Sequence, residues 1–244
     1  MSENNPHVVT QAQYEELYKE VLLFAKIGGI TAAVDNIWKM CTEEFTNELV
    51  PAVKNSNAIE VVDGVADSFV VFTQLHHYYM SKPTWEQVVP FDDMNDVKPL
   101  HIHLSEKDTT IVPHLMEVWK DFSADFAKWL NFNLYKAVKA VNISNLSKFP
   151  SLDQLKRKYS NPAILTAILL DKSAKDCEEA SQGLYNDVVA NLSSVISPEG
   201  TPYVVYRSNG GQGKIVKNNL FYQKPNFDDC WIKDFNKVEG TSNV

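Results

Sequence analysis

Carboxylates crowd into one short stretch of this chain. From Glu43 to Asp67 there are six, Glu43, Glu44, Glu48, Glu60, Asp63 and Asp67, against a single base, Lys54. Acidic side chains a helical turn apart repel by a few tenths of a kcal/mol, and a solvated helix face normally interleaves lysine or arginine to relieve this. Where bases are missing, a bound cation is the natural counter-charge. Carboxylate oxygens suit a hard divalent ion, Mg²⁺ first and Mn²⁺ second, which keeps open positions for water and phosphate. The plainer alternative is that these acids form the solvent side of amphipathic helices.

The stripe requires two helices to position it. At about 100° per residue, Glu60, Asp63, Gly64, Asp67 and Gln74 share one sector of a helix predicted from about Ala58 to Tyr79. Val61, Val62, Val65, Ala66, Phe69 and Phe72 take the opposite side. In the preceding helix, predicted from about Thr31 to Val53 with Pro51 as a kink or end, Glu44 and Glu48 share a face. Asn47 lies beside them and Glu43 on the flank, and antiparallel pairing of the two helices turns both stripes into one cleft. A glycine in mid-helix costs about 1 kcal/mol against alanine, so Gly64 predicts that something approaches that face closely.

The other elements follow from periodicity and punctuation. Thr10 and Gln13 have the spacing of a capping box and open a helix through Tyr14, Leu17, Val21 and Phe24 that stops at Gly28-Gly29. A fourth long helix is predicted from about Thr109 to Asn142, with shorter ones near Ser151–Tyr159 and Pro162–Ala180. Prolines at 83, 90 and 99 mark residues 80–107 as an excursion from the core. Tyr203–Arg207 and Lys214–Lys217, separated by a glycine-rich turn, predict a small hairpin. The expected fold class is mainly α, a helical bundle with a small C-terminal β-hairpin at about 203–218.

Pieces of this pattern resemble the MazG-like, all-α nucleoside triphosphate pyrophosphohydrolases, especially those of bacteriophages. That family carries Glu-x-x-Glu on one helix and an acidic-x-x-Asp motif on the next. Glu43 to Leu49 is similar to the first, and residues 60–67, Glu-Val-Val-Asp-Gly-Val-Ala-Asp, to the phage form of the second. Ser144 to Phe149 looks like the phage group's Ser-Asn-Met-Ser-Lys segment, and Tyr203 to Lys217 with Tyr222 and Pro225 like its terminal element. The resemblance implies one domain over residues 1–244 with an all-α NTP pyrophosphatase-like bundle, insertions at about 80–115 and 150–200, and a homodimer or homotetramer.

It also implies Mg²⁺-dependent hydrolysis of a ribo- or deoxynucleoside triphosphate to the monophosphate and pyrophosphate, shaping a nucleotide pool during phage DNA replication. Glu44, Glu48, Asp63 and Asp67 become the metal ligands, and Glu60 or Glu43 a further ligand or the group orienting water. Asn145 and Lys148 contact the nucleotide, and Lys214 and Lys217 close over it. The first motif departs from the family in spacing: Glu44 and Glu48 are i,i+4 where the family has i,i+3. Either Glu48 reaches the metal or Asn47 takes the slot. A noncatalytic nucleotide-binding protein retaining the bundle is the alternative.

Charge and composition set the remaining bounds. The chain has 244 residues and a net charge of −8, of which residues 43–67 supply five negative charges, so the remainder is close to neutral. An acidic chain without a basic patch argues against nucleic-acid or anionic-membrane partners. Its three widely spaced cysteines point to the reducing cytoplasm, the host's if the chain is phage-encoded. His101 and His103 form a weak metal pair without a third ligand, and His76-His77 reads as packed or capping. Gly210 to Lys214 fails as a phosphate loop because Ile215 stands where Ser or Thr is needed. A di-iron bundle is disfavoured because neither acidic helix carries Glu-x-x-His.

Overall fold

Thr10 opens the first helix as predicted. The Gln13 N–H donates to Thr10 Oγ1 at 3.3 Å and the Thr10 N–H to Gln13 Oε1 at 2.9 Å, so two donors that a helix start leaves open are satisfied. Helix α1 spans Gln11–Ile27. It ends where Gly29 turns left-handed (φ 57°) and the Ile30 N–H reaches back to the Ala25 carbonyl at 2.9 Å, a closure that glycine makes without strain. The computed structural model describes residues 5–30, 34–79, 112–159, 188–217 and 221–232. The predicted excursion at 80–107, the helix at Pro162–Ala180 and the His101/His103 pair lie outside the described residues.

The second helical stretch is not a uniform α-helix. It consists of α2 (Val34–Thr42), a wide π turn (Glu43–Leu49) and α3 (Val50–Lys54). The residues flanking the π turn keep helical dihedrals, and the Val50 N–H donates to the Phe45 carbonyl five residues back. Pro51 neither ends nor breaks the stretch. It has no N–H to give and would crowd the carbonyl four residues before it in an α-helix. A widened turn immediately upstream removes that conflict, and α-type bonding resumes when the Asn55 N–H donates to the Pro51 carbonyl at 2.9 Å.

After a turn with Ser56 left-handed (φ 54°), α4 runs over Ala58–Tyr79. The long helix expected at 109–142 is two helices, α5 (Val112–Leu130) and α6 (Leu134–Ser147). Asn131 adopts φ 55°, a conformation that its short polar side chain tolerates, and Asn133 Oδ1 accepts the Lys136 N–H at 3.0 Å to start the next helix. Periodicity passes unbroken through Asn-Phe-Asn because Phe132 stays apolar and buried. Helix α7 (Leu152–Lys158) is opened by a Ser151/Gln154 capping box.

The sheet also differs from expectation. Its two antiparallel strands are β1 (Val189–Ile196) and β2 (Pro202–Arg207). Residues 214–216 add an isolated bridge, Arg207 to Ile215, with bonds from the Ser208 N–H to the Lys214 carbonyl and from the Val216 N–H to the Tyr206 carbonyl. Gly210 and Gly211, both at positive φ, fold the intervening segment into a tight 3-10 turn, which leaves no room for a second ladder. The actual partner, Val-Ala-Asn-Leu-Ser-Ser-Val-Ile, alternates too poorly in polarity to read as a strand.

The chain divides into two compact units. The first contains residues 1–21, 32–141 and 225–244, the second residues 22–31 and 142–224. In the first, α4 is the central element. Val61, Val62, Val65, Ala66, Phe69, Phe72 and Leu75 are buried among Tyr14, Leu17, Trp38, Phe45, Leu49 and Trp119. Phe72 meets Trp119 edge-on at 4.9 Å, a geometry that adds about 0.5–1.5 kcal/mol to the burial itself. Lys139 of α6 bridges Glu16 and Glu20 of α1. Burial opposes its charge, but hydrogen bonds to the two carboxylates prevail and raise its pKa. In the second unit Leu155, Val188, Ala190, Val204 and Tyr206 form one cluster and Phe24, Ile27, Phe149 and Val205 another. No helix among the described residues is long and apolar enough to cross a membrane.

Gly64 supports the prediction of close approach, and the approaching group is Leu49. A Cβ at position 64 would sit 3.1 Å from both Leu49 Cα and Leu49 Cβ. Gly64→Ala therefore lowers unfolding free energy by about 1–3 kcal/mol through overpacking, against the roughly 1 kcal/mol that alanine gains in an unconstrained helix. Urea denaturation of the two proteins measures the sign.

Candidate functional site

The π turn changes how its acids are spaced in angle. A π turn holds roughly 4.4 residues, or about 82° per residue, so i and i+4 differ by only about 30° around the axis. The i,i+3 pair of an α-helix differs by about 60° in the same sense. Going round the axis from Glu44, Leu49 and then Phe45 fall within about the first quarter of a turn, Asn47 lies well past the far side, and Glu48 comes back to just short of Glu44. Phe45 and Leu49 are the buried pair. Glu44 and Glu48 thus share one flank of the turn while Asn47 faces away from the core and is exposed. The wider turn thus absorbs the extra residue in angle, bringing Glu48 to the flank of Glu44 and turning Asn47 away from it.

The contact between Leu49 and Gly64 sets where the acids of the two elements fall. Glu48 precedes Leu49 and Asp63 precedes Gly64 in the chain, so two carboxylate residues flank the point of closest approach. Asp67 lies one turn further along α4. From Val61 to His76 every residue of α4 is buried except Asp63 and Asp67, which are half-buried. Among the described residues these two carboxylates therefore interrupt the buried stretch of the central helix and are not the fully solvated face of an amphipathic one. Glu60 is exposed in the first turn of α4, where its N–H is held by Asn57 Oδ1 at 3.4 Å. Glu43 and Glu44 are half-buried and Glu48 exposed. Burial, with Glu44's charge adding to it, pushes the Cys41 thiol well above its usual pKa, so Cys41 stays a neutral core group.

The donor set is all carboxylate oxygen, with neither thiolate nor imidazole, and fits a hard divalent cation. Among the described residues no three Asp, Glu, His or Cys side chains converge into a closed metal-ligand group. His76 and His77 take packing roles as expected. His76 is buried, and burial together with its neighbour His77 lowers its pKa; His77 Nδ1 lies 2.6 Å from the Tyr18 hydroxyl.

The four substrate-binding candidates belong to the second unit, the acids to the first. Lys148 donates to Asn145 Oδ1 at 2.6 Å, and its ammonium lies 5.5 Å from the centre of the Phe24 ring, so Asn145 and Lys148 form a preset pair. Lys217 lies over the Tyr222 ring at 5.0 Å, and the Lys214 carbonyl accepts the Ser208 N–H at 3.1 Å. This unit also has an open groove of about 410 Å³ lined by Lys26, Gly28, Asn191, Ser193, Ser194 and Arg207. Arg207 donates there to the carbonyls of Gly28 and Gly213, a cap on the end of α1.

One polar residue received no role from sequence. Gln74 continues the Asp63/Asp67 sector and is 1% exposed, yet neither end of its carboxamide has a hydrogen-bond partner among the described residues. Its position on the stripe was readable from spacing, but its burial was not.

Comparisons with protein-family models, curated proteins and solved structures find no match to the chain.

The π turn and Pro51 can be tested together. Deleting Asn47 alone turns the stretch into a regular α-helix with proline inside it and costs about 3 kcal/mol. Deleting Asn47 together with Pro51→Ala recovers most of that loss, as read from denaturant midpoints and far-UV circular dichroism.

Proposed function

We propose that the chain is a Mg²⁺-dependent nucleoside triphosphate pyrophosphohydrolase of the MazG-like, all-α type, serving a deoxynucleotide pool in phage replication. The observation that carries this reading is the placement of Asp63 and Asp67. They are the two half-buried positions between Val61 and His76, where every other residue of α4 is buried, and Asp63 adjoins Gly64, whose contact Leu49 follows Glu48 in the chain.

Glu44, Glu48, Asp63 and Asp67 would hold the metal. Once bound, Mg²⁺ supplies charge neutralisation at the phosphates and a more acidic water. The protein's own task would be to bring these carboxylates around the ion; the close Leu49–Gly64 contact draws their two elements together, and no three of them converge in this structure. Half-burial of Asp63 and Asp67 excludes bulk water and strengthens every charge interaction there. Glu60 or Glu43, at the edge of the stripe, orients the attacking water. Asn145, Lys148, Lys214 and Lys217 are nucleotide-binding candidates on the resemblance alone, with the lysines suited to phosphate charge. The working form is a homodimer or homotetramer in the cytoplasm.

The test is to incubate the protein with each ribo- and deoxynucleoside triphosphate and Mg²⁺ and to separate pyrophosphate from orthophosphate. Pyrophosphate is the expected product, and Asp67→Asn reduces kcat by about 10²–10³-fold. Orthophosphate as the first product overturns the assigned bond. Tight nucleotide binding without turnover establishes the noncatalytic reading instead.

A further inference from the structure

Gln74 is the member of the acidic sector that the metal-binding role leaves unused. It lies seven residues past Asp67, roughly 10 Å along the helix axis, which is about the span from a metal-bound phosphate to the base of a nucleotide. Its carboxamide is enclosed, with neither the oxygen nor the nitrogen hydrogen-bonded among the described residues. Such a group is costly to keep unless something pairs with it.

Two other buried polar groups of α4 have a local outlet. The Ser68 and Thr73 hydroxyls can rotate toward the backbone carbonyl one turn back. At about 100° per residue, Gln74 falls between Asp63 and Asp67 in angle, whereas His76 lies on nearly the opposite side of α4. Trp119 packs against that same opposite side, at Phe72. A carboxamide presents an acceptor and a donor side by side, complementary to the paired groups on a nucleobase edge.

We propose that Gln74 is the base-reading residue of the acidic site, pairing with adjacent donor and acceptor atoms of a nucleobase whose phosphates lie at Asp63 and Asp67. This rests on the reading of that site as one for nucleoside triphosphates. The carboxamide is closed off in this structure, so the base enters through a local parting of the packing beside Asp67. Substrate choice then lies in a group that the apo protein keeps at the expense of stability.

The variant Gln74→Met keeps length and volume and removes both polar atoms. Calorimetric titration with α,β-methylene deoxynucleoside triphosphates of each base and Mg²⁺, with inorganic tripolyphosphate as the baseless probe, reads the effect. Thermal unfolding of each unliganded protein is measured alongside. Gln74→Met weakens the preferred nucleotide by about 10–100-fold, leaves tripolyphosphate within about twofold, and raises the Tm of the unliganded protein because an unpaired polar group has gone. Asp67→Asn weakens both probes. Unchanged base preference, a lowered Tm, loss of folding, or a wild-type protein that binds none of the nucleotides overturns the role of Gln74. Wild-type turnover with pyrophosphate release but an indifferent Gln74→Met removes this inference alone. Base-dependent binding that Gln74→Met abolishes, in a wild-type protein without turnover, keeps it and removes the hydrolytic reading alone.

Discussion

The separation of Leu49 from Gly64 governs the arrangement of the first unit. With only hydrogen on its α-carbon, Gly64 lets the backbone of the π turn come so near that even a methyl group would lie 3.1 Å from Leu49 Cα. Helix axes normally stand 8–10 Å apart according to the side chains between them, and glycine at a crossing selects the near end. The contact also fixes the height at which the elements meet. A slide of one residue would carry Glu48 past Asp63 and withdraw Phe45 from the ring cluster of Phe72, Trp119 and Phe122. Packing and the level of the acids along the two elements are therefore one constraint, because the apolar contacts that hold the crossing are made by residues adjacent in the chain to the acids.

Local chemistry made much of the fold legible, since caps and glycine stops act over three or four residues. Thr10 with Gln13, Ser151 with Gln154 and Gly28-Gly29 mark helix ends that the structure reproduces. Where the sequence misleads, the deciding term is nonlocal or shares its pattern with a competitor. Phe132 keeps the apolar period running although Asn131 turns left-handed beside it. Strand β1 owes its existence to its ladder with β2, which no local pattern announces. At the candidate site the angular stripe was readable, but the enclosure of Gln74 depends on what packs around α4. A helical wheel cannot report that.

Enclosure also decides how the acids are to be read. On an amphipathic surface helix a row of carboxylates costs little, because water screens it. On α4 the same row is the only interruption in sixteen residues of burial, where water is scarce and charge is more expensive to maintain. The same side of the helix carries a buried carboxamide whose two ends have no partner among the described residues. Proteins tolerate such features chiefly where a ligand repairs them.

The i,i+4 spacing of Glu44 and Glu48 and the π turn are one fact seen at two levels. A helix carrying one residue more than its neighbours require has two outcomes. It can rotate everything downstream by about 100°, or it can widen one turn and leave both flanks in register. Ile37, Trp38 and Cys41 before the turn and Ala52 after it all pack into the same core, so rotation would expose one set or the other. Burying an aromatic or large aliphatic side chain is favourable by about 1.5–3 kcal/mol, and several would be lost at once, which outweighs the poorer bonding of a single wide turn. Pro51 favours the same outcome, because a regular α-helix would place its ring against a carbonyl. The widened turn keeps the core intact and returns the two glutamates to one flank, so the spacing that departs from the motif in sequence is compensated in angle.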